Sequence, residues 1–200
     1  MMKKALLIIF LVLLIDQAIK IYIKTHFYLG QEVQLAGNWA ILAFTENNGM
    51  AFGMEFAGKY GKIFLSTFRI FAVIGLFWYL NDVIKNGAKQ GFVWCMALII
   101  AGAIGNILDS AFYGLIFSDS YCGVAHFSSP GYAGFLHGKV VDMFYFPILT
   151  GHFPQWVPFW GSEQFIFFRP IFNFSDASIS VGVFLILVFQ RKFFSKANAA

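Results

Sequence analysis

Charge is what this chain of 200 residues has least of: Asp, Glu, Lys and Arg make up 12% of it, against 59% hydrophobic residues. Globular chains usually carry about 25% charged residues, and a soluble domain of this length cannot bury so much apolar surface, so the soluble class is excluded. Cysteine is nearly absent too. Cys95 lies in an apolar run and Cys122 in a connecting segment, with no metal-ligand spacing between them, and both are read as small residues. There is no glycine-rich phosphate loop, nucleic-acid motif or internal repeat, and the net charge of +4 is too dispersed for a nucleic-acid surface. The opening "MMKKALLIIFLVLLIDQAIK" imitates a secretory signal but lacks a small-x-small cleavage site, so it is read as a retained first helix.

What is present is apolar length. Runs of about 20 residues are enough to cross a bilayer, and four occur, at about residues 5–23, 63–84, 92–112 and 171–190. The expected fold is an all-α membrane protein: four transmembrane helices in a single domain, with a small extended or β element and an interfacial loop on the outer face. Only "KNGAKQG" separates the second run from the third, whereas residues 24–62 and 113–170 form long connections that must share one side. Lys3, Lys4, Lys85, Lys89, Arg191, Lys192 and Lys196 collect on the side of the termini and the short turn. That side is therefore expected to be cytoplasmic. Within residues 27–58, "QEVQLAGNWAILAFTENN" alternates apolar and polar residues, as a half-buried strand does. The 27 phenylalanines suit lipid-facing and interfacial positions, and Arg69, inside the second run, is read as a snorkelling or packing residue.

A few polar groups interrupt the apolar runs, and they converge in depth. At helical rise, Asp16, Asn106, Asp109 and Asp176 lie about 18 to 26 Å from the cytoplasmic ends of their helices, all in the outer half. Asp142, in "GKVVDMFYFP", sits in an apolar patch too short to span, which is expected at the interface near Asp176. Ionisable residues at such depth are functional candidates by default. Two carboxyls drawn together in a dry site share a proton. One then takes a proton from water while the other donates to a scissile carbonyl. The blander alternative is that each acid is a packing device, as in an Asp16–Lys20 pair one turn apart.

Specific strings carry a resemblance. "DQAIK", "FTENNGMAFG", "GAIGNILD", "VVDMF" and "FNFSDASISVG" occur in this order along most of the chain; together they resemble the lipoprotein signal peptidases (signal peptidase II). The resemblance implies an aspartyl endopeptidase of the bacterial inner membrane, with both termini cytoplasmic and the active site near the outer surface. Its substrate is implied to be a diacylglyceryl-modified prolipoprotein, cut before the lipidated cysteine. It implies Asp142 and Asp176 as the catalytic pair. Asn47, Gly49, Asn106, Asn173, Asp16, Lys20 and Asp109 are implied as substrate-binding or supporting residues. The enzyme is expected to work as a monomer in membrane lipid, without metal, cofactor or nucleic acid. From position alone, Asp109 is expected to be held by its own helical neighbours.

Departures from the family pattern are visible. Ser110 stands where the family carries Arg after GN-x-x-D, and Lys139, three residues before Asp142, is the nearest replacement cation in sequence. VVDF reads VVDM. The loop before VVD and the stretch "GHFPQWVPFWGSEQ" after it are enlarged and carry Tyr121, Phe127, Tyr132, Phe135, Trp156 and Trp160. These inserts are expected to rest at the lipid surface, or to form a lid or a dock for substrate. His126, His137 and His152 lie there without metal-site spacing. The alternative function is a small proton- or cation-coupled transport component, which needs polar groups through the inner leaflet, where the runs offer almost none. A membrane chaperone or assembly factor is the second rival.

Overall fold

The computed structural model describes residues 1–49 and 58–194; the end of the extended segment expected at 27–58 lies outside the described residues. Four helices are long and apolar enough to cross a membrane. They are α1 (Met2–His26), α2 (Gly58–Lys85), α3 (Gln90–Leu108) and α5 (Phe174–Phe194). Between the last two, α3 continues through a π-helical turn, Asp109–Tyr113, into the single-turn α4, Gly114–Ile116.

The helices follow from the period of their buried positions. On α1 the residues Ala5, Ile9, Val12, Asp16, Lys20 and Ile23 are buried, one stripe at 3.6-residue spacing that turns from apolar to polar along its length. Leu7, Phe10 and Leu14 on the other side are exposed, a surface suited to lipid. Hydrophobic burial does not drive helix pairing where lipid is equally apolar, so close packing must. It does so most tightly between α3 and α5. A Cβ built on Gly102 would lie 2.2 Å from the Ser175 carbonyl oxygen, and one on Gly182 2.8 Å from that of Cys95. The connection from α2 to α3 is a Schellman turn: Ala88 N donates to Val83 O at 2.9 Å and Gly87 N to Ile84 O at 3.2 Å, with Gly87 at φ +75°.

The opposite end of the bundle carries a sheet. β1 (Glu32–Ala36), β2 (Ala40–Asn47), β3 (Val140–Tyr145) and β6 (Ile171–Phe172) pair antiparallel in the order β1-β2-β3-β6. A separate hairpin joins β4 (Leu149–His152) to β5 (Gln164–Phe167). The small extended or β element expected beside the four helices is thus larger than residues 27–58 alone, drawing strands from both long connections. The VVD string is a central strand, not a loop patch; its buried run Val140 to Met143 lacks the alternation that marks a half-exposed strand. Met143, the departure from VVDF, fills a core with Ile23, Phe27, Phe44, Tyr113, Phe117 and Val141. The fourth helix begins at Phe174 because the two residues of β6 are held by β3.

The small-residue seam has a measurable consequence. A Cβ on Gly105 would fall 2.0 Å from Ser175 Oγ and 2.7 Å from Asp16 Oδ2, whereas Gly75 has nothing within 4 Å. Gly105→Ala should lower stability by about 1–3 kcal/mol through overpacking, seen as a reduced Tm in detergent; Gly75→Ala should leave Tm unchanged or slightly raised.

Candidate active site

The polar cluster is assembled from the N-terminus of α5. Asn173 is the residue before the helix, and its Oδ1 accepts from Asp176 N at 2.9 Å, while Asp176 Oδ2 accepts from Asn173 N at 3.3 Å. This reciprocal capping box fixes both side chains to the first turn. With Asn173 Oδ1 engaged by the cap, Nδ2 must point the other way. It donates to Asp142 Oδ1 at 2.7 Å and to Asn106 Oδ1 at 3.1 Å.

Asp142 reaches this point from β3. Its strand pairs with β2, with Thr45 opposite Asp142 and Asn47 opposite Val140. Asn47 Nδ2 donates to Asp142 Oδ2, so the carboxyl has an amide donor on each oxygen. Asn106 comes from α3; its Nδ2 donates to Asp176 Oδ1 at 2.8 Å and its Oδ1 accepts from Lys20 Nζ at 3.1 Å. An ammonium only donates, which fixes the orientation of the Asn106 amide. Asp142 and Asp176 are thus joined through Asn173. Asp142 is buried, and Asp176 is half-buried with a face left open. Burial first, and then the Asp176 charge, push the Asp142 carboxyl up to about 7, against the Asn173 bond, the Lys20 charge and the Asn47 bond. Such a pair can hold one proton between two acids.

Beneath lies a second layer. Lys20 Nζ is 3.0 Å from Asp16 Oδ2 and 2.8 Å from Asp109 Oδ2, all three side chains being fully buried. With Asn106 this uses all three ammonium donors. Asp16 Oδ1 accepts from Ser175 N at 2.9 Å, a further free N–H of the α5 first turn. Gln17 Nε2 donates to Asp16 Oδ2 at 3.1 Å and Asp109 Oδ1 at 2.9 Å, and its Oε1 accepts from Tyr113 OH at 3.1 Å. Asp109 Oδ2 also accepts from Val141 N at 3.4 Å. Asp109 is therefore held by α1 and β3, not by its own helical neighbours as expected.

Comparisons with known proteins give the chain a family. The family described as signal peptidase (SPase) II matches residues 8–192. The chain belongs to the signal peptidase II family. It is 49% identical over 184 residues to the lipoprotein signal peptidase of Porphyromonas gingivalis strain ATCC 33277, covering 90% of this chain and 80% of that one. To the lipoprotein signal peptidase of Amoebophilus asiaticus it is 35% identical over 184 residues, 90% and 75% of the two chains. Among solved structures, a bacterial membrane enzyme determined by the in meso method at 1.9 Å resolution shares 25% identity and a TM-score of 0.64, over 95% of this chain and 94% of that one.

Within this signal peptidase II chain, the expected residues Asp16, Lys20, Asn47, Gly49, Asn106, Asp109, Asp142, Asn173 and Asp176 fall into one connected cluster; Lys139 does not. Lys139 Nζ lies 3.7 Å from Glu46 Oε2 and 4.2 Å from the Tyr121 ring centroid. An odd separation from Asp142 on extended chain turns it to the opposite face. There it joins Glu46, Lys24 and Ser120, which tie the first insert to α1 and β2. Ser110 Oγ donates back to Asn106 O at 3.0 Å. Gln17, Tyr113 and Glu46 were missed. Glu46 and Gln17 each adjoin a residue that was found, and a run of polar neighbours inside an apolar segment is the signal that pointed to them.

The buried layer makes a strong prediction. Lys20→Met leaves Asp16 and Asp109 facing each other without a cation, and should destabilise the fold by about 3–5 kcal/mol, read as a large drop in Tm in detergent. Adding Asp109→Asn should recover part of the loss.

Proposed function

We propose that Asp142 and Asp176 are the catalytic pair of a membrane aspartic endopeptidase that removes the signal peptide from diacylglyceryl-modified prolipoproteins, cutting before the lipidated cysteine. The observation that carries this is the Asn173 bridge, whose side-chain Nδ2 donates to the Asp142 carboxyl and whose backbone N donates to that of Asp176, while Asp176 stays half-buried. One ionised carboxylate takes a proton from water, and the water oxygen bonds to the scissile carbonyl carbon. The protonated partner gives its proton to the carbonyl oxygen. Return of that proton to the leaving nitrogen breaks the C–N bond while the other carboxylate takes a proton from a hydroxyl of the tetrahedral intermediate, which collapses to the new carboxyl group, so the pair ends with one proton as it began. Asp142, pushed up to about 7, suits the protonated role at neutral pH.

The sheet end faces the outside in this reading, and the termini with their lysines face the cytoplasm. The exposed Trp156, Phe159 and Trp160 at the second hairpin suit the bilayer–water interface, where lipid-anchored substrate arrives. The enzyme acts as a single-domain monomer. A transport role is not supported: the half of the bundle nearer the termini packs through Ala5, Ile9, Val12, Leu80, Phe92, Val93, Met96, Ala97, Ile100 and Ala101, an apolar core without a polar path among the described residues.

The test is cleavage of a diacylglyceryl-modified prolipoprotein by the purified enzyme in lipid. Asp142→Asn and Asp176→Asn should each abolish turnover with the fold intact by Tm; retained turnover in either rejects the pair. In the wild type, kcat/KM should fall as pH rises through about 7, since Asp142 then loses the proton it must donate. A profile flat to about pH 9 contradicts this assignment of the acid.

A further inference from the structure

Arg69 is a cation of the bundle that neither the second layer nor the insert cluster uses. Its position on α2 excludes a snorkelling role. Lys62, Ser66, Val73 and Leu80 are buried on that helix, and Arg69 falls on their stripe at helical spacing. Phe64, Phe68, Phe71 and Trp78, each more than 60% exposed, form the opposite face. The guanidinium is turned inward and donates through Nη2 to the carbonyl oxygen of Gly49.

That contact continues into the carboxyl pair. Gly49 has φ +84°, and a Cβ there would fall 2.7 Å from Arg69 Nη1, so both backbone conformation and guanidinium approach require glycine. Gly49 N donates to Asn47 Oδ1, which leaves Asn47 Nδ2 to donate to Asp142. The same tight turn is held from the side by Lys62, whose Nζ lies 3.1 Å from Asn48 Oδ1 and 2.8 Å from His137 O. A cation at this level of a bundle is costly unless opposite charge answers it. Through Gly49 and Asn47 the guanidinium is linked to Asp142, which Asn173 joins to Asp176. An acid pair sharing one proton carries one negative charge, which a cation at the end of this chain of hydrogen bonds can answer.

We propose that Arg69 is a positioning residue for the proteolytic reaction, clamping the Gly49 carbonyl so that Asn47 stays on Asp142, and supplying the countercharge that Ser110 cannot. It rests on the assignment of Asp142 and Asp176 above. The other charges around the pair are Lys20, Asp16 and Asp109 beneath it, Lys62 beside the turn, and Glu46 with Lys24 and Lys139 across β2. All of these stay unchanged in the variants.

The experiment compares wild type, Arg69→Met, Arg69→Gln and Arg69→Lys on diacylglyceryl-modified prolipoprotein, with kcat, KM and pH profiles measured separately and folding checked by Tm. Losing the positive charge makes ionisation of the pair harder, so both limbs of the kcat/KM profile should move to higher pH in the Met and Gln variants, by about one unit. Their kcat should fall at least about tenfold with KM within about threefold, the pattern of a lost transition-state interaction. Arg69→Lys keeps the charge and should keep the wild-type limbs while recovering part of kcat. Gly49→Ala, which displaces the guanidinium from the outside, should shift the limbs in the same direction and covers the case in which the uncharged variants do not fold. Wild-type kcat and unshifted limbs in a folded Met or Gln variant, or in folded Gly49→Ala, would overturn the proposal. Activity surviving in Asp142→Asn or Asp176→Asn would instead reject the pair itself.

Discussion

The polar end of this bundle depends on one amide group. Asn173 accepts a hydrogen bond from the first turn of α5 through its oxygen, and that single constraint decides where its two N–H groups go. They go to Asp142, on a strand, and to Asn106, on another helix. A helix cap is ordinarily worth about 1 kcal/mol. Here it also sets the orientation of a donor between three elements far apart in sequence, so local helix chemistry becomes the geometry of a site.

The rest is a problem of keeping charge where water is scarce. Lys20 lies between Asp16 and Asp109 with its third donor on Asn106, and Asp16 answers a free backbone N–H of α5. Removing one member of a buried ion cluster is far more damaging than the cluster is stabilising. Its value here is orientation: Lys20 fixes the Asn106 amide, and that amide presents its N–H to Asp176. The glycine seam between α3 and α5 serves the same end. Gly105 leaves room for Ser175 and Asp16 to meet, and any larger residue pushes them apart.

Much of this was legible in the chain itself. Four apolar runs and a common depth for Asp16, Asn106, Asp109 and Asp176 are one-dimensional facts, and they survive folding because helical rise is nearly constant. The strings around Asp142 and Asp176 pointed to the two acids that the structure joins through Asn173. The strand nature of the VVD segment was hidden because both faces of β3 are covered, which erases alternation. The two residues of β6 are too few to show any period. The partners of Asp109 were misread because they come from α1 and from β3, segments distant in sequence that no local spacing could reveal. Lys139 was picked out because it is near Asp142 in sequence, but the sheet turns it to the opposite face; Arg69 was read as a snorkelling or packing residue, whereas its guanidinium turns inward to the Gly49 carbonyl.

The central claim is that Asp142 and Asp176 form one proton-sharing unit. Infrared difference spectroscopy of the lipid-reconstituted enzyme across pH follows the protonated carboxyl of Asp142 directly, with Asp142→Asn to assign its band. The account predicts a band that titrates near 7 in the wild type, the value to which burial and Asp176 push it, and at clearly lower pH in Asp176→Asn. A carboxyl already ionised at about pH 5, or a titration that Asp176→Asn leaves unmoved, would contradict it.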